Sequence, residues 1–427
     1  MCNWNLFAKA FLALSILCFV LTAQVRPKDK IKNLEALAKQ GQNAAPGIAA
    51  YQRDEDVSVR LAAAEALIQA GGVASADALR TGCEDGSSDV QRLSVAGIVN
   101  FYKPGYIKQG VRAKAGAVGN KILRSNEEPV VDPFVTVRPE DIAAVRKVLL
   151  NGASRDSKLE AAQALGILRA GSALPDLYPL LKSKDDAMML AALRAIETSG
   201  DKAAAAETVF LLRDLNDKIQ SRAIALNGIF RNEGALPDLA EVFSRGRSAK
   251  SKAAALEAIA MIASPESKAL FEQNVDNRDG SLRGLSAEGL GRLVAKEHDA
   301  KIKALYQDES SARARLGEAF ALVKFGNLDT GEFSPLTYLF NTLNSAAWND
   351  YARSYLRELS RDSSVRKGLR TKVAAATKSE KIGLARILAA EGTGEDRETL
   401  DALAHDRDAD VAQEGIKAAR TLNARLP

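Results

Sequence analysis

Apolar and small side chains recur along the chain at offsets of 0, 3 and 6, the inner stripe of an amphipathic helix. The triples include Leu61/Ala64/Leu67, Leu159/Ala162/Leu165, Leu190/Leu193/Ile196, Ala223/Leu226/Ile229, Ala253/Leu256/Ile259 and Gly284/Ala287/Leu290. From Leu165 through Ile196, Ile229, Ile259 and Leu290 to Phe320, the last members fall 31, 33, 30, 31 and 30 residues apart. A stripe that holds phase over five steps predicts a stacked array of helix pairs, each too small to bury its apolar face alone. These last members are the expected core. A second echo agrees: Leu174-Pro175-Asp176-Leu177 returns as Leu236-Pro237-Asp238-Leu239, 62 residues or two periods later. Each copy follows a glycine, Gly171 or Gly234, expected to close the preceding helix in the left-handed region. Each proline is expected at a helix start, where its missing N–H costs nothing.

The turn before the inner helix also repeats. Asp56, Asp279 and Asp362 each stand four residues before an arginine, Arg60, Arg283 and Arg366, with Asp89/Arg92 and Asp217/Arg222 as looser versions. Such an aspartate can cap the next helix and face its dipole. The arginine can reach the aspartate of the adjacent repeat. A ladder of this kind is structural, and its carboxylates are not read as catalytic. With its Asp-x-x-Val-Arg turn and alanine-rich helix, Asp56 to Leu67 resembles a HEAT repeat. The period is shorter than the roughly 40–47 residues of long HEAT and armadillo units. It is similar to the short HEAT-like repeats named after phycobilisome lyases, and the resemblance covers most of residues 29–427. It implies an all-α protein, a right-handed α-α superhelix or HEAT-like solenoid of about eleven to thirteen helix pairs. It also implies a protein that presents a surface to partners.

The stripe fails twice, over about 100–140 and 325–360. The first stretch is basic: from Val90 to Asn126 there is no acid, while Lys103, Lys108, Arg112, Lys114 and Lys121 are interleaved with Phe101, Tyr102 and Tyr106. Val130 to Pro139 reads as extended, since Pro133 and Pro139 disfavour helix just before them. The second stretch is aromatic, with Phe325, Phe333, Tyr338, Phe340, Trp348, Tyr351 and Tyr355 inside 31 residues. Spacings of 3 and 4 can place Trp348, Tyr351 and Tyr355 on one helix face. Repeat residues are committed to packing and capping, so binding is expected where the repeat breaks. The candidate surface is Lys103, Tyr106, Lys108, Arg112, Lys114 and Lys121 with Trp348, Tyr351 and Tyr355. Inward-facing rings would instead be local core.

Composition narrows the class. Of the 427 residues, 46% are hydrophobic and 26% charged, as in folded soluble proteins, but only 5% are aromatic. A thick α/β or all-β core would want more aromatic and β-branched side chains. Phe11 to Ala23 is a 13-residue apolar run behind Lys9, too short to span a bilayer comfortably. Residues 1–23 therefore read as a secretory signal peptide, leaving the repeat array over 24–427. An uncleaved N-terminal anchor and a lipoprotein modified at Cys18 are the alternatives. Cleavage would take the net charge from +5 to +4, since Lys9 is the one charge removed. It would also leave Cys83 as the only thiol, so neither an internal disulfide nor a Cys-x-x-Cys zinc site is available. There is no P-loop, Gly-x-Gly-x-x-Gly after a strand, Gly-x-Ser-x-Gly elbow or His-Glu-x-x-His. The two histidines, His298 and His405, read as surface residues. The iron-binding His-Glu pairs of the HEAT-repeat deoxyhypusine hydroxylases have no counterpart here, and no motif supports a lyase. The expectation is a non-catalytic, cofactor-free and metal-free monomer. It would be a scaffold for protein–protein contacts in the bacterial cell envelope, periplasmic or envelope-associated. The alternatives are an adaptor that holds anionic lipid through segment 100–124, and an enzyme with an unrecognised site. Nucleic acid is not an expected partner of an exported protein.

Overall fold

A computed structural model describes residues 26–107, 129–133, 135–246 and 248–426. Signal residues 1–23 and the bases Lys108, Arg112, Lys114 and Lys121 lie outside the described residues. The described residues contain helices and turns and no strand, so the expected all-α solenoid class holds. No described helix is long and apolar enough to cross a membrane. The chain divides into two compact units, Met1–Ser199 and Gly200–Pro427.

In the first unit the α-helices are α1 (Pro27–Ala38), α2 (Ala45–Ala49), α3 (Val57–Ala70), α4 (Gly72–Gly82), α5 (Ser88–Tyr102), α6 (Pro139–Asn151), α7 (Arg155–Ile167), α8 (Leu174–Leu177) and α9 (Asp186–Ser199). In the second they are α10 (Asp217–Ile229), α11 (Leu236–Arg245), α12 (Ala249–Ile262), α13 (Lys268–Asn274), α14 (Gly280–Arg292), α15 (Asp299–Asp308), α16 (Ala312–Lys324), α17 (Pro335–Asn341), α18 (Asn349–Leu359), α19 (Ser363–Arg370), α20 (Lys378–Glu391), α21 (Arg397–Ala404) and α22 (Ala409–Arg425). Short 3-10 turns join many of these helices. In one repeat the first helix is itself 3-10, over Lys202–Arg213.

The second helix of most pairs is started by a side chain. Asp56, Ser154, Asn216, Ser248, Asp279, Ser311, Thr377 and Asp408 each accept a first-turn backbone N–H. Two residues before several of these caps stands a polar residue with two tasks. Asp54, Asp214, Asn277, Glu309 and Asp406 accept the N–H of the cap residue itself. Four of these positions or their equivalents also take a base from the preceding repeat: Lys30–Asp54 at 2.6 Å, Arg60–Asp85 at 2.6 Å, Arg283–Glu309 at 2.8 Å and Lys381–Asp406 at 2.7 Å. The ladder expected from Asp56/Arg60 and Asp279/Arg283 is therefore present. Asp362/Arg366 is out of phase, because Asp362 caps α19, the first helix of its pair. Arg366 nonetheless pairs with Asp396, at 3.1 Å.

The end of the second helix differs from expectation. Gly171 and Gly234 lie in 3-10 turns, and neither has positive φ. The left-handed residue comes two or three positions earlier, at Arg169 and Arg231 (φ 55°), and recurs as Gly200, Ala263, Val294 and Gly326. After α7, α10, α14 and α16 it is followed by a residue whose N–H closes onto a carbonyl five back: Ala170 to Leu165, Asn232 to Asn227, Ala295 to Leu290 and Asn327 to Leu322. That geometry is the Schellman motif, which satisfies the orphan carbonyls of the last turn. The prolines behave as expected, with Pro175 and Pro237 in the first turns of α8 and α11.

Leu165, Ile196, Ile259 and Leu290 are buried, as the stripe requires, but Ile229 is 49% exposed. Counting eleven residues from each cap explains the exception. The count reaches Leu165, Ile259 and Leu290 from Ser154, Ser248 and Asp279, but Asn227 from Asn216. Asn227 is fully buried and donates to Thr208 Oγ1 at 2.9 Å, so an amide fills the core position in α10.

Candidate functional site

The basic stretch does not present the surface its composition suggests. Lys103 faces Asp132 at 3.9 Å, so the acid missing from the local sequence is supplied from beyond it. Tyr106 is buried with its hydroxyl 3.3 Å from Glu160, which removes it as a surface residue. Burial pushes both groups up from their ordinary pKa values. Val131 is also buried, and its N–H donates to the Ile167 carbonyl at the end of α7. No described residue between Pro129 and Arg138 is helical, but the extended run expected over Val130–Pro139 is interrupted by a turn, closed by the Val135 N–H on the Asp132 carbonyl at 2.9 Å. Cys83 is buried too, and its thiol is pushed up to about 12, chiefly by burial, so it is not a poised nucleophile.

The aromatic stretch splits in two. Phe325, Phe340 and Tyr355 are core, so Tyr355 is corrected from candidate surface to buried side chain. Its place is set by glycines on two neighbouring helices. A Cβ on Gly317 of α16 would sit 1.9 Å from the Gly284 carbonyl oxygen of α14. The two helices therefore meet backbone to backbone, which brings Glu288 of α14 within 3.1 Å of Arg313 of α16. Tyr355 of α18 packs on Phe320 at 4.6 Å between ring centres and donates its hydroxyl to Glu288. Arg313 donates to the Tyr355 hydroxyl at 2.9 Å, and Arg292 joins Glu288 to Glu358. Burial alone would push Glu288 up, but the charges of Arg292 and Arg313 outweigh it and hold the carboxylate below its usual range. The Tyr355 hydroxyl is raised well above its usual value, again first by burial. Glu288 and Tyr355 are closed to solvent, so this network ties α14, α16 and α18 together and offers no substrate access. Breaking one partner of such a network leaves an uncompensated buried charge.

The other half of the stretch lines an open cavity of about 400 Å³. Its walls come from Tyr306 of α15, Arg315 of α16, Tyr338 and Asn341 of α17, the loop residues Glu332 and Phe333, and the turn from Thr342 to Trp348. Ser334 caps α17 by accepting the Thr337 N–H, with Pro335 in the first turn, so Phe333 is held just outside that helix, 81% exposed. Trp348 pairs with Tyr351 at 5.7 Å, and both are half-buried. The Arg313 guanidinium lies 4.8 Å from the Tyr351 ring, so the buried network touches the ring that packs on Trp348. At the cavity floor the Arg315 guanidinium lies 4.9 Å from the Tyr306 ring and 5.1 Å from the Tyr338 ring. These are cation–π distances. The arrangement can hold a ligand that combines an apolar or aromatic body with a polar group.

Of the nine residues proposed from the sequence, the structure brings Trp348 to this cavity and packs Tyr351 against it. It buries Tyr106 and Tyr355 and pairs Lys103. Sequence reasoning missed Arg315 and Tyr306, which belong to the regular part of the array. A signal existed for Arg315: it stands four residues after the cap Ser311, the ladder position of Arg60 and Arg283. Among the described residues, Glu272, Glu297 and His298 bring ligand atoms within 4.8 Å of one another. The Lys268 ammonium already occupies that place, 2.5 Å from Glu297 and 3.7 Å from Glu272.

No family model matches the chain, and no curated protein matches it. Solved structures do. Human deoxyhypusine hydroxylase in complex with glycerol is similar over 59% of this chain and 96% of that one, at 18% identity and a TM-score of 0.29. Kap121p bound to Ste12p is similar over 93% of this chain and 47% of that one, at 11% identity and a TM-score of 0.41. An engineered protein is similar over 92% and 99%, at 15% identity and a TM-score of 0.29. The chain spans about half the length of the Kap121p chains it matches. The HEAT-like class is read from the paired helices, caps and ladder described above.

Proposed function

We propose that this protein is a non-catalytic HEAT-like scaffold, exported to the bacterial cell envelope, that binds a partner protein through the aromatic cavity of its second unit. The observation that carries the reading is the exposure of Phe333 over a cavity walled by Tyr338 and Trp348. Aromatic side chains at a concave, partly desolvated place are the usual anchors of protein interfaces. The apolar run Phe11 to Ala23 supports the exported location. The short repeat period supports a relation to phycobilisome-lyase repeats at the level of the repeat alone, and lyase chemistry is no part of the proposal.

The test is a photo-crosslinking residue placed at position 333 in cells, with a second variant carrying it at Leu215. Both side chains are 81% exposed, and only position 333 borders the cavity. A discrete crosslinked protein from position 333 and none from position 215 supports the reading. No adduct at 333, or the same adducts at both, contradicts it.

A further inference from the structure

Arg315 stands where the ladder loses its acid. Four residues after their caps, Arg60, Arg283 and Lys381 each reach a carboxylate lying two residues before the next cap. For Arg315 the next repeat is the broken one. Ser345 opens the turn that leads into α18, accepting the N–H of its N-cap residue Trp348 at 3.2 Å. Two residues before Ser345 is Leu343, a buried hydrocarbon. Among the described residues no carboxylate comes within ion-pairing distance of Arg315, and its Nε is buried without a hydrogen-bond partner. Tyr306 and Tyr338 lie against the guanidinium, which itself lines the cavity.

An unpaired guanidinium with aromatic rings on its faces keeps its N–H edge for a planar anion. We propose that the cavity binds a peptide segment of the partner that carries one carboxylate beside an apolar or aromatic group, the carboxylate taking the ladder position that Leu343 leaves empty. The inference rests on the function proposed above and names the chemistry of the occupant. Charge balance limits it to a single acid. Arg315 is a cation with no carboxylate at ion-pairing distance among the described residues, while Glu332 at the exposed edge of the cavity repels a longer acidic tract. Glu318, on the same helix as Arg315, does not neutralise it. Both Glu318 oxygens are buried without hydrogen-bond partners, and burial followed by the nearby Glu309 pushes its pKa up to about 8. Asn341, Thr342 and Ser345 supply the hydrogen-bonding groups that a peptide backbone requires. The carboxylate can come from a chain terminus or from an aspartate or glutamate side chain.

Calorimetric titration of the full chain with three probes tests this: N-acetyl-Leu-Phe with a free carboxylate, the same dipeptide as its C-terminal amide, and N-acetyl-Glu-Phe amide. The free acid, the glutamyl amide or both should bind about tenfold or more tighter than the plain amide, the size of one charge-assisted pair. Whichever binds identifies the source. Arg315→Gln should abolish that preference, and Ser345→Asp should do so too while keeping an acceptor for the Trp348 N–H, because its own carboxylate enters the cavity. Trp348→Ala should weaken acid and amide alike. Equal binding of acids and amide, a preference that survives Arg315→Gln in a protein with wild-type circular dichroism, or no binding of any probe at about 10 mM would overturn the proposal. Since none of these probes is the natural partner, failure here with a crosslink intact at position 333 removes the carboxylate chemistry and leaves the scaffold.

Discussion

Ile229 and Leu290 have the same apparent place in the sequence stripe and opposite environments. Leu290 is fully buried, and its truncation to alanine should cost about 2–5 kcal/mol. Ile229 is half exposed, and its truncation should cost less than about 1 kcal/mol. Denaturant midpoints of the two variants check the register directly. The reason for the misreading is that spacing within a helix does not fix its phase, whereas the cap does. Counted from Asn216, the inward position is Asn227, and a polar residue there is invisible to a search for apolar triples. Glu318 supplies a second residue-level expectation. Its pKa is pushed from the ordinary 4.5 up to about 8. Between those values the unfolded chain loses this proton and the native chain keeps it, so stability falls as pH rises through that window. Glu318→Gln should therefore melt higher than wild type at pH 8 and no higher at pH 4. Thermal melts at the two pH values decide it, and equal melting at both would mean the carboxyl is not held protonated. The groups that set this titration are Glu309, Arg283 and Arg315.

At the scale of helices, the caps, the proline starts and most of the ladder were legible in the sequence. They depend on local chemistry: a short polar side chain reaches an N–H two or three residues on, and an arginine reaches one repeat along. The left-handed stops were not legible, because Arg169, Arg231, Ala263 and Val294 adopt positive φ without glycine. In Val294 a β-branched residue occupies that region, which ordinarily costs about 1–2 kcal/mol and persists because the surrounding repeat fixes the turn. The backbone-to-backbone contact of α14 with α16 was equally hidden. Gly317 and Gly284 are unremarkable in a list of 30 glycines, and only the packing of α14 on α16 shows why each must lack a Cβ. Gly317→Ala should destabilise by about 1–3 kcal/mol, the usual cost of overpacking. Gly394→Ala, with open space around the position, should be near neutral. Chemical denaturation of the pair separates a packing requirement from a general glycine effect.

For the whole molecule, the same rule accounts for what was and was not readable. Regular repeats announce themselves because every member solves one packing problem, so fold class followed from periodicity. The candidate site lies where α17 and α18 depart from that solution, and its position was readable as a break in the stripe. Its composition was only half readable. Trp348 lines the cavity and Tyr351 packs on it, but Tyr355, one turn beyond Tyr351 on the same helix, points inward to Glu288. The decisive cation, Arg315, comes from a regular helix and becomes available because the repeat after it supplies leucine in place of an acid. Departure from a repeated pattern thus exposes groups on both sides of the break, which a search of the irregular stretch alone overlooks.

The central claim is that binding belongs to the break and packing to the repeat. Hydrogen–deuterium exchange of the full chain, with and without the partner captured at position 333, tests it most directly. The account predicts added protection over residues 325–360 and around Arg315, with exchange in α3, α7, α12 and α20 unchanged. Protection spread evenly over those regular second helices, with none at 325–360, would contradict it.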